Sequence, residues 1–248
     1  MWFFIIDLAI AATTPYSWIQ AQTTSIESQD LMLTYPDLRA EFANGTFSWL
    51  KTQMARSANA AYKNFSNNNC QEGALFKSMD AKMLFPDATE TEATFVSSLI
   101  LVESSYCLPN VQLDHAYKTF MSPDFREDVM PQVIKFTNNN HISCVQSEGI
   151  TGLLKPSQYC SKDHVLHLEN AILLRSSLKT VEQGSAFQPL YIREDVMLFV
   201  QMQDGVGVYR GSFTRSDELG STGKYILRST VESSQNNIRN EYYEWLQK

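Results

Sequence analysis

Apolar positions recur at helical spacing through most of this chain. Leu38, Phe42, Phe47, Leu50, Met54 and Ala58 predict a helical stretch over residues 31–65, broken at Asn44-Gly45. A short helix is expected over 71–84, ending before Pro86, and Asp87-Ala88-Thr89-Glu90 supplies capping chemistry for a third. That third helix carries Phe95, Leu99 and Val102 at i, i+4 and i+7 and ends at Glu103, ahead of Leu108-Pro109-Asn110. Val165, Leu168, Ile172 and Leu178 predict a helix over 163–180, with Asp163 as N-cap and Gly184 past its end. Further helices are expected at 193–203 (Val196, Phe199, Val200), at 224–231, and around Tyr242, Tyr243 and Trp245. Residues 107–140 follow no period. They hold Pro109, Pro123 and Pro131 and the polar run Thr137-Asn138-Asn139-Asn140, and read as an irregular or β-like lobe. The expected class is mainly α.

Composition narrows the options. The 248 residues are 44% hydrophobic, enough for one large folded domain or a domain with an extension. No apolar run reaches the roughly 20 residues of a membrane span. The net charge of −7 argues against nucleic acid and weakly favours a cationic ligand. Residues 1–22 resemble the apolar part of an export signal, but they lack a basic start and Asp7 interrupts them; the other reading is a first helix of the fold. Cys70, Cys107, Cys144 and Cys160 form no C-x-x-C pair, which argues against zinc. Three disulfide connectivities are open, besides four reduced thiols; Cys70–Cys107 with Cys144–Cys160 closes the shorter loops and is favoured. His115, His141, His164 and His167 show no metal-binding spacing, and no cofactor is expected.

Glu103 is the leading candidate for chemistry. A carboxyl at the edge of an apolar helix is partly desolvated, which suits a general acid; the bland alternative is a surface glutamate. Glu103-Ser104 resembles the Glu-Ser motif of lytic transglycosylases and goose-type lysozymes. Gly149-Ile150-Thr151-Gly152-Leu153-Leu154-Lys155 resembles their Gly-Ala-x-Gly-Leu-Met-Gln segment. Asp163 to Leu178, with Glu169-Asn170-Ala171 inside it, is similar to their Asp-Pro…Asn-Ile helix. Gln203-Asp204-Gly205-Val206-Gly207-Val208 is similar to their Asn-Ala-Gly-x-Gly-x-Val, and Lys224-Tyr225-Ile226 to a late Tyr-Val helix. The order of the five carries the resemblance, over roughly residues 90–232.

The resemblance implies a lysozyme-like domain at 87–248, a helical extension at 23–86, and a secreted or periplasmic monomer acting on peptidoglycan glycan strands. Glu103 would be the acid that cleaves the MurNAc–GlcNAc bond, with Asp114 or Asp124 as second carboxylate in a hydrolase. Ser104, Gly152, Lys155, Gln203 and Tyr225 would meet the sugar. Lys155 and Gln203 depart from the family's residues. Glu148 and Tyr159 add a carboxylate and an aromatic face, suited to the free amines of N-deacetylated peptidoglycan. In that respect the chain resembles the deacetylation-specific lysozymes of predatory bacteria. Tyr209 and Tyr225 are cleft-lining candidates, or core aromatics. The alternatives are a lytic transglycosylase leaving anhydro ends, or a non-catalytic wall-binding protein of the same fold.

Overall fold

The structure, a computed structural model, describes residues 37–77, 80–130, 133–139, 141–148, 156–181, 192–215 and 238–245. Its centre is not a helix bundle but one eight-stranded antiparallel sheet. The chain runs α1 (Ala40–Ser66), β1 (Gly73–Lys77), α2 (Ala81–Leu84), α3 (Glu90–Ser97), β2 (Leu99–Pro109), α4 (Leu113–Phe120) and α5 (Pro123–Val129). It continues as β3 (Val133–Asn139), β4 (Ile142–Ser147), β5 (Ser157–Leu168), β6 (Ala171–Val181), β7 (Ile192–Met202) and β8 (Gly205–Arg215). Residues 238–245 form a last helical segment, α6. The spatial order is β1-β2-β8-β7-β6-β5-β4-β3. Six consecutive strands meander, and β8 then pairs along the full length of β2, from Leu99↔Arg215 to Pro109↔Gly205.

Two expected helices are therefore strands, and a third is helical only over Glu90–Ser97 before it turns into β2. Residues 163–180 form the β5–β6 hairpin, 193–203 are β7, and Glu103 stands in the middle of β2. For β6 and β7 the physical reason is burial on both faces. In β7, Val196, Met197, Leu198, Phe199 and Val200 are all buried, so the strand shows no polar alternation. An apolar run of that length satisfies helical spacing as readily as strand spacing. The segment 71–84 is divided between β1 and the single turn α2. The expected helix at 224–231 lies outside the described residues.

Alternation along the strands sorts the core into two clusters. Leu101, Leu173, Val196, Leu198, Val200 and Phe213 face α1. Tyr106, Leu108, Ile172, Leu174, Met197, Phe199 and Val208 face α4, α5 and α6. Helix α1 runs on through Asn44-Gly45, and a side chain at 45 would collide with the Phe85 ring, 2.2 Å from a Cβ built there. The gap left by Gly45 receives that ring, which also packs on Phe42 with centroids 4.9 Å apart. A capping box joins Thr89 and Glu92 at the start of α3. Glu92 also takes the Arg39 guanidinium, with Nε at 2.8 Å, and so fastens α3 to the entry of α1.

Both favoured disulfides are present, Cys70–Cys107 and Cys144–Cys160. The first ties the segment after α1 to β2. The second joins residues directly opposite on β4 and β5. Two disulfides mark an oxidising, extracytoplasmic compartment. No helix among the described residues is long and apolar enough to cross a membrane.

Candidate functional site

Helix α1 does not fill the space above β1 and β2. Its facing positions there are small, Ser57, Ala60 and Ala61 at i, i+3 and i+4, before Phe65 closes one end. The result is a cavity of about 380 Å³ between α1 and the β1–β2 edge, within the size range of ligand pockets. Ala74 and Leu75 of β1 form its outer wall, and Leu75 is 62% exposed at the rim. Gln71 and Glu72 line it beside the Cys70–Cys107 bridge.

Glu103 lies at the base, 3% exposed, between its register partners Leu75 on β1 and Gly211 on β8. The glycine decides the local geometry. A Cβ at 211 would come within 2.6 Å of the Tyr209 hydroxyl. Without it, the Tyr209 ring leans along β8 over position 211, and its hydroxyl donates to Glu103 Oε1 at 2.8 Å. Ser57 of α1 also hydrogen-bonds the phenol. Burial and the neighbouring Glu103 both raise the Tyr209 pKa well above its ordinary value, so the phenol keeps its proton and acts as a donor. The site thus has a mainly apolar lining joined by Asn64, Gln71, Glu72 and Ser105, with one buried carboxyl and a fixed phenol. No histidine, lysine or cysteine is among its described lining residues.

The sequence-derived candidates scatter around this centre. Ser104 borders the cavity and is buried, but alternation turns its side chain to the sheet face opposite Glu103, where the hydroxyl has no hydrogen-bond partner among the described residues. Asp114 is exposed in the first turn of α4, on the α4–α5 side of the sheet. The two carboxyls lie on opposite faces, so they cannot flank one glycosidic bond. Asp124, exposed at the start of α5, is on that same far side. Glu148 is exposed just after β4. Gln203 is exposed in the β7–β8 turn, where its backbone N–H donates to Asn68. Tyr159 is buried on β5 and lines a different, smaller cavity. Gly152, Lys155 and Tyr225 lie outside the described residues.

Sequence reasoning placed Tyr209 as a cleft candidate but missed its partner Gly211 and the wall made by Ser57, Ala61 and Phe65. A glycine two positions after a tyrosine in a strand was the available signal, since such a gap admits a neighbouring ring.

No protein-family model matches this sequence, and no curated protein matches it. Similar solved structures include the StAR-related lipid transfer protein fragment from Xanthomonas axonopodis, at 12% identity and a TM-score of 0.49 over 58% of this chain and 86% of that one. Human StAR-related lipid transfer protein 5 is 10% identical, with a TM-score of 0.48 over 80% of this chain and 100% of that one. A START superfamily protein from Mycobacterium smegmatis is 12% identical, with a TM-score of 0.43 over 59% and 98%. Two of these three carry lipid transfer in their names, and none is a lysozyme or a lytic transglycosylase. The sheet itself removes that class. Glu103-Ser104 is mid-strand, the supposed 163–180 helix is a hairpin, and Gln203-Asp204 is the turn of the β7–β8 hairpin. The lysozyme-like fold is corrected to an antiparallel sheet with a long helix. The peptidoglycan glycosidase activity, its transglycosylase and wall-binding alternatives, and the enzyme class are withdrawn with it.

Proposed function

We propose that this protein binds a small, lipid-like amphiphile in the cavity beneath α1, with the ligand's hydroxyl or amine on Glu103. The observation that carries this reading is the 380 Å³ cavity, walled by Ala60, Ala61, Phe65, Ala74 and Leu75 and floored by the Glu103–Tyr209 pair. Apolar walls with a few fixed polar groups are the usual build of a small-molecule site. Tyr209 occupies one Glu103 oxygen as a donor, which orients the carboxyl. A ligand donor placed on that carboxyl gains a hydrogen bond worth about 1.5–3 kcal/mol when charge-assisted. A ligand carboxylate would instead meet like charge and lose affinity. Compartment and ligand fit together: an extracytoplasmic carrier, secreted or periplasmic, acting on its own or handing its ligand on.

Displacement of a neutral apolar fluorophore tests this. Decanol and decylamine should displace it, and decanoate should be at least about tenfold weaker, for the charge reason just given. Glu103→Gln should weaken decylamine far more than decanol. A protein that takes up no fluorophore, or that prefers decanoate, would not be this carrier.

A further inference from the structure

The sheet face opposite Glu103 holds a second cluster, built on two arginines. Arg126 of α5 and Arg210 of β8 line a cavity of about 40 Å³ together with Ser143, Ser161, Tyr159 and Asp195. That volume accepts one compact polar group. Neither guanidinium is saturated. Arg126 donates through Nε to the Phe120 carbonyl at 2.7 Å, and its carbon lies 3.8 Å from the Phe120 ring centroid. Among the described residues its two terminal nitrogens reach only sulfur, Met130 at 3.4 Å and Met121 at 3.9 Å. Among the described residues no carboxylate pairs with it.

Arg210 reaches Asp195 through one terminal nitrogen at 3.4 Å, a long contact, and its buried Nε–H has no acceptor among the described residues. Asp163, the other acid nearby, is engaged by Ser143 and Ser176. Burial and repulsion from Arg210 push the Arg126 pKa down to about 9, so the site is positively charged at neutral pH but poorly neutralised. A buried donor without an acceptor is costly, and a buried charge without a partner more so. Water would satisfy the N–H groups but not the charge. A planar fork on each of two walls matches the several oxygens of a single oxyanion.

We infer that the cavity between Arg126 and Arg210 binds a compact oxyanion, a phosphate or carboxylate group. The group enters either as a free ion or as the head of an amphiphile. This site is separate from the α1 cavity, so neither reading depends on the other.

The test is thermal unfolding of the full chain with inorganic phosphate, acetate or octyl phosphate, alongside Arg126→Met. At saturation a binding anion should raise Tm by about 5–10 °C. Arg126→Met should abolish the gain and, without anion, unfold no earlier than the wild type, since it removes an unneutralised buried charge. A gain with phosphate or acetate identifies a free-ion site. A gain with octyl phosphate alone identifies the head of an amphiphile. No gain with any of the three, or a gain that survives Arg126→Met, overturns the inference. Should that variant not fold, the Nε–H resonances of Arg126 and Arg210 in the wild type decide: they should shift on phosphate or octyl phosphate titration, and resonances that stay in place overturn it.

Discussion

The two faces of the sheet bury apolar residues to a similar degree yet are built differently. The face under α4, α5 and α6 is filled by large rings. Phe125 lies 4.9 Å from Tyr242 and Phe120 lies 5.8 Å from Phe199, each edge to face, and the Tyr242 hydroxyl donates to the Ala116 carbonyl. The face under α1 meets the β1–β2 edge with serine and alanine and leaves 380 Å³ there. Interlocking aromatics hold a face rigid, whereas small residues over a strand pair hold space. The lesson is that a two-sided sheet can divide stability and binding between its faces.

Phe199→Ala removes a ring at the centre of the filled face. It should cost about 3–5 kcal/mol, the range for large-to-small changes in packed cores. The measure is the urea midpoint at unchanged m. Fluorophore uptake under α1 should persist in the folded fraction. Loss of uptake at full folding would mean the faces are not independent.

Next in size is the closure of the α1 face. Glu92 accepts the backbone N–H, Nε and a terminal nitrogen of Arg39, besides the backbone N–H of Thr89. The Arg39 guanidinium holds its carboxyl down to about 2, below the 4.5 it has when unperturbed. A folded pKa below the unfolded one stabilises above pH 4.5, and the contribution fades as pH falls toward 2. Glu92→Gln should therefore cost about 2–3 kcal/mol at neutral pH. The gap to wild type should close through that acid window. A gap that stays constant with pH would mean that packing, not charge, holds α1 at this end.

How much of this was legible beforehand depended on whether a strand had one wet face. Helix α1 was readable, because Phe42, Phe47, Leu50 and Met54 make a stripe with polar residues between. Strands β6 and β7 were not, because burial on both sides erases alternation and leaves Ile172-Leu173-Leu174 and Met197-Leu198-Phe199. Their turns did carry a signal. Gly205, at φ 147° and with no room for a side chain against the Leu108 carbonyl, opens β8 just after the Gln203-Asp204 turn, in a segment that resembles a sugar-binding loop. Glu103 stands out in the sequence as a carboxyl inside an apolar run, and it does line a cavity. Its role could not be read, because Ser57, Leu75 and Gly211 come to it from 46 positions before, 28 before and 108 after. Arg126 and Arg210 gave no sign at all, since single arginines are ordinary surface residues until the fold encloses them.

Tyr209→Phe probes the polar floor. It deletes the donor to Glu103 Oε1 and should cost about 1–2 kcal/mol. In a double-mutant cycle with Glu103→Gln the two changes should couple, because they share one hydrogen bond. Additive losses would mean that the phenol contributes by packing alone.

The smallest stability effect should accompany the largest functional one. Ala61 is 9% exposed and lines the cavity from α1. In a close-packed core, enlarging an alanine to leucine forces neighbours apart, at about 1–3 kcal/mol. Here the added carbons enter space that is already open, and they cover apolar wall that otherwise lacks contacts. Ala61→Leu should thus shift stability by less than about 1 kcal/mol in either direction. It should nevertheless remove most fluorophore binding, because the leucine occupies the volume the ligand needs. The same enlargement at Ala116, fully buried among the rings of the other face, should cost at least about 1 kcal/mol and leave binding alone. If both substitutions destabilise alike, the space under α1 is not held open in solution, and the distinction between a packed face and a binding face fails.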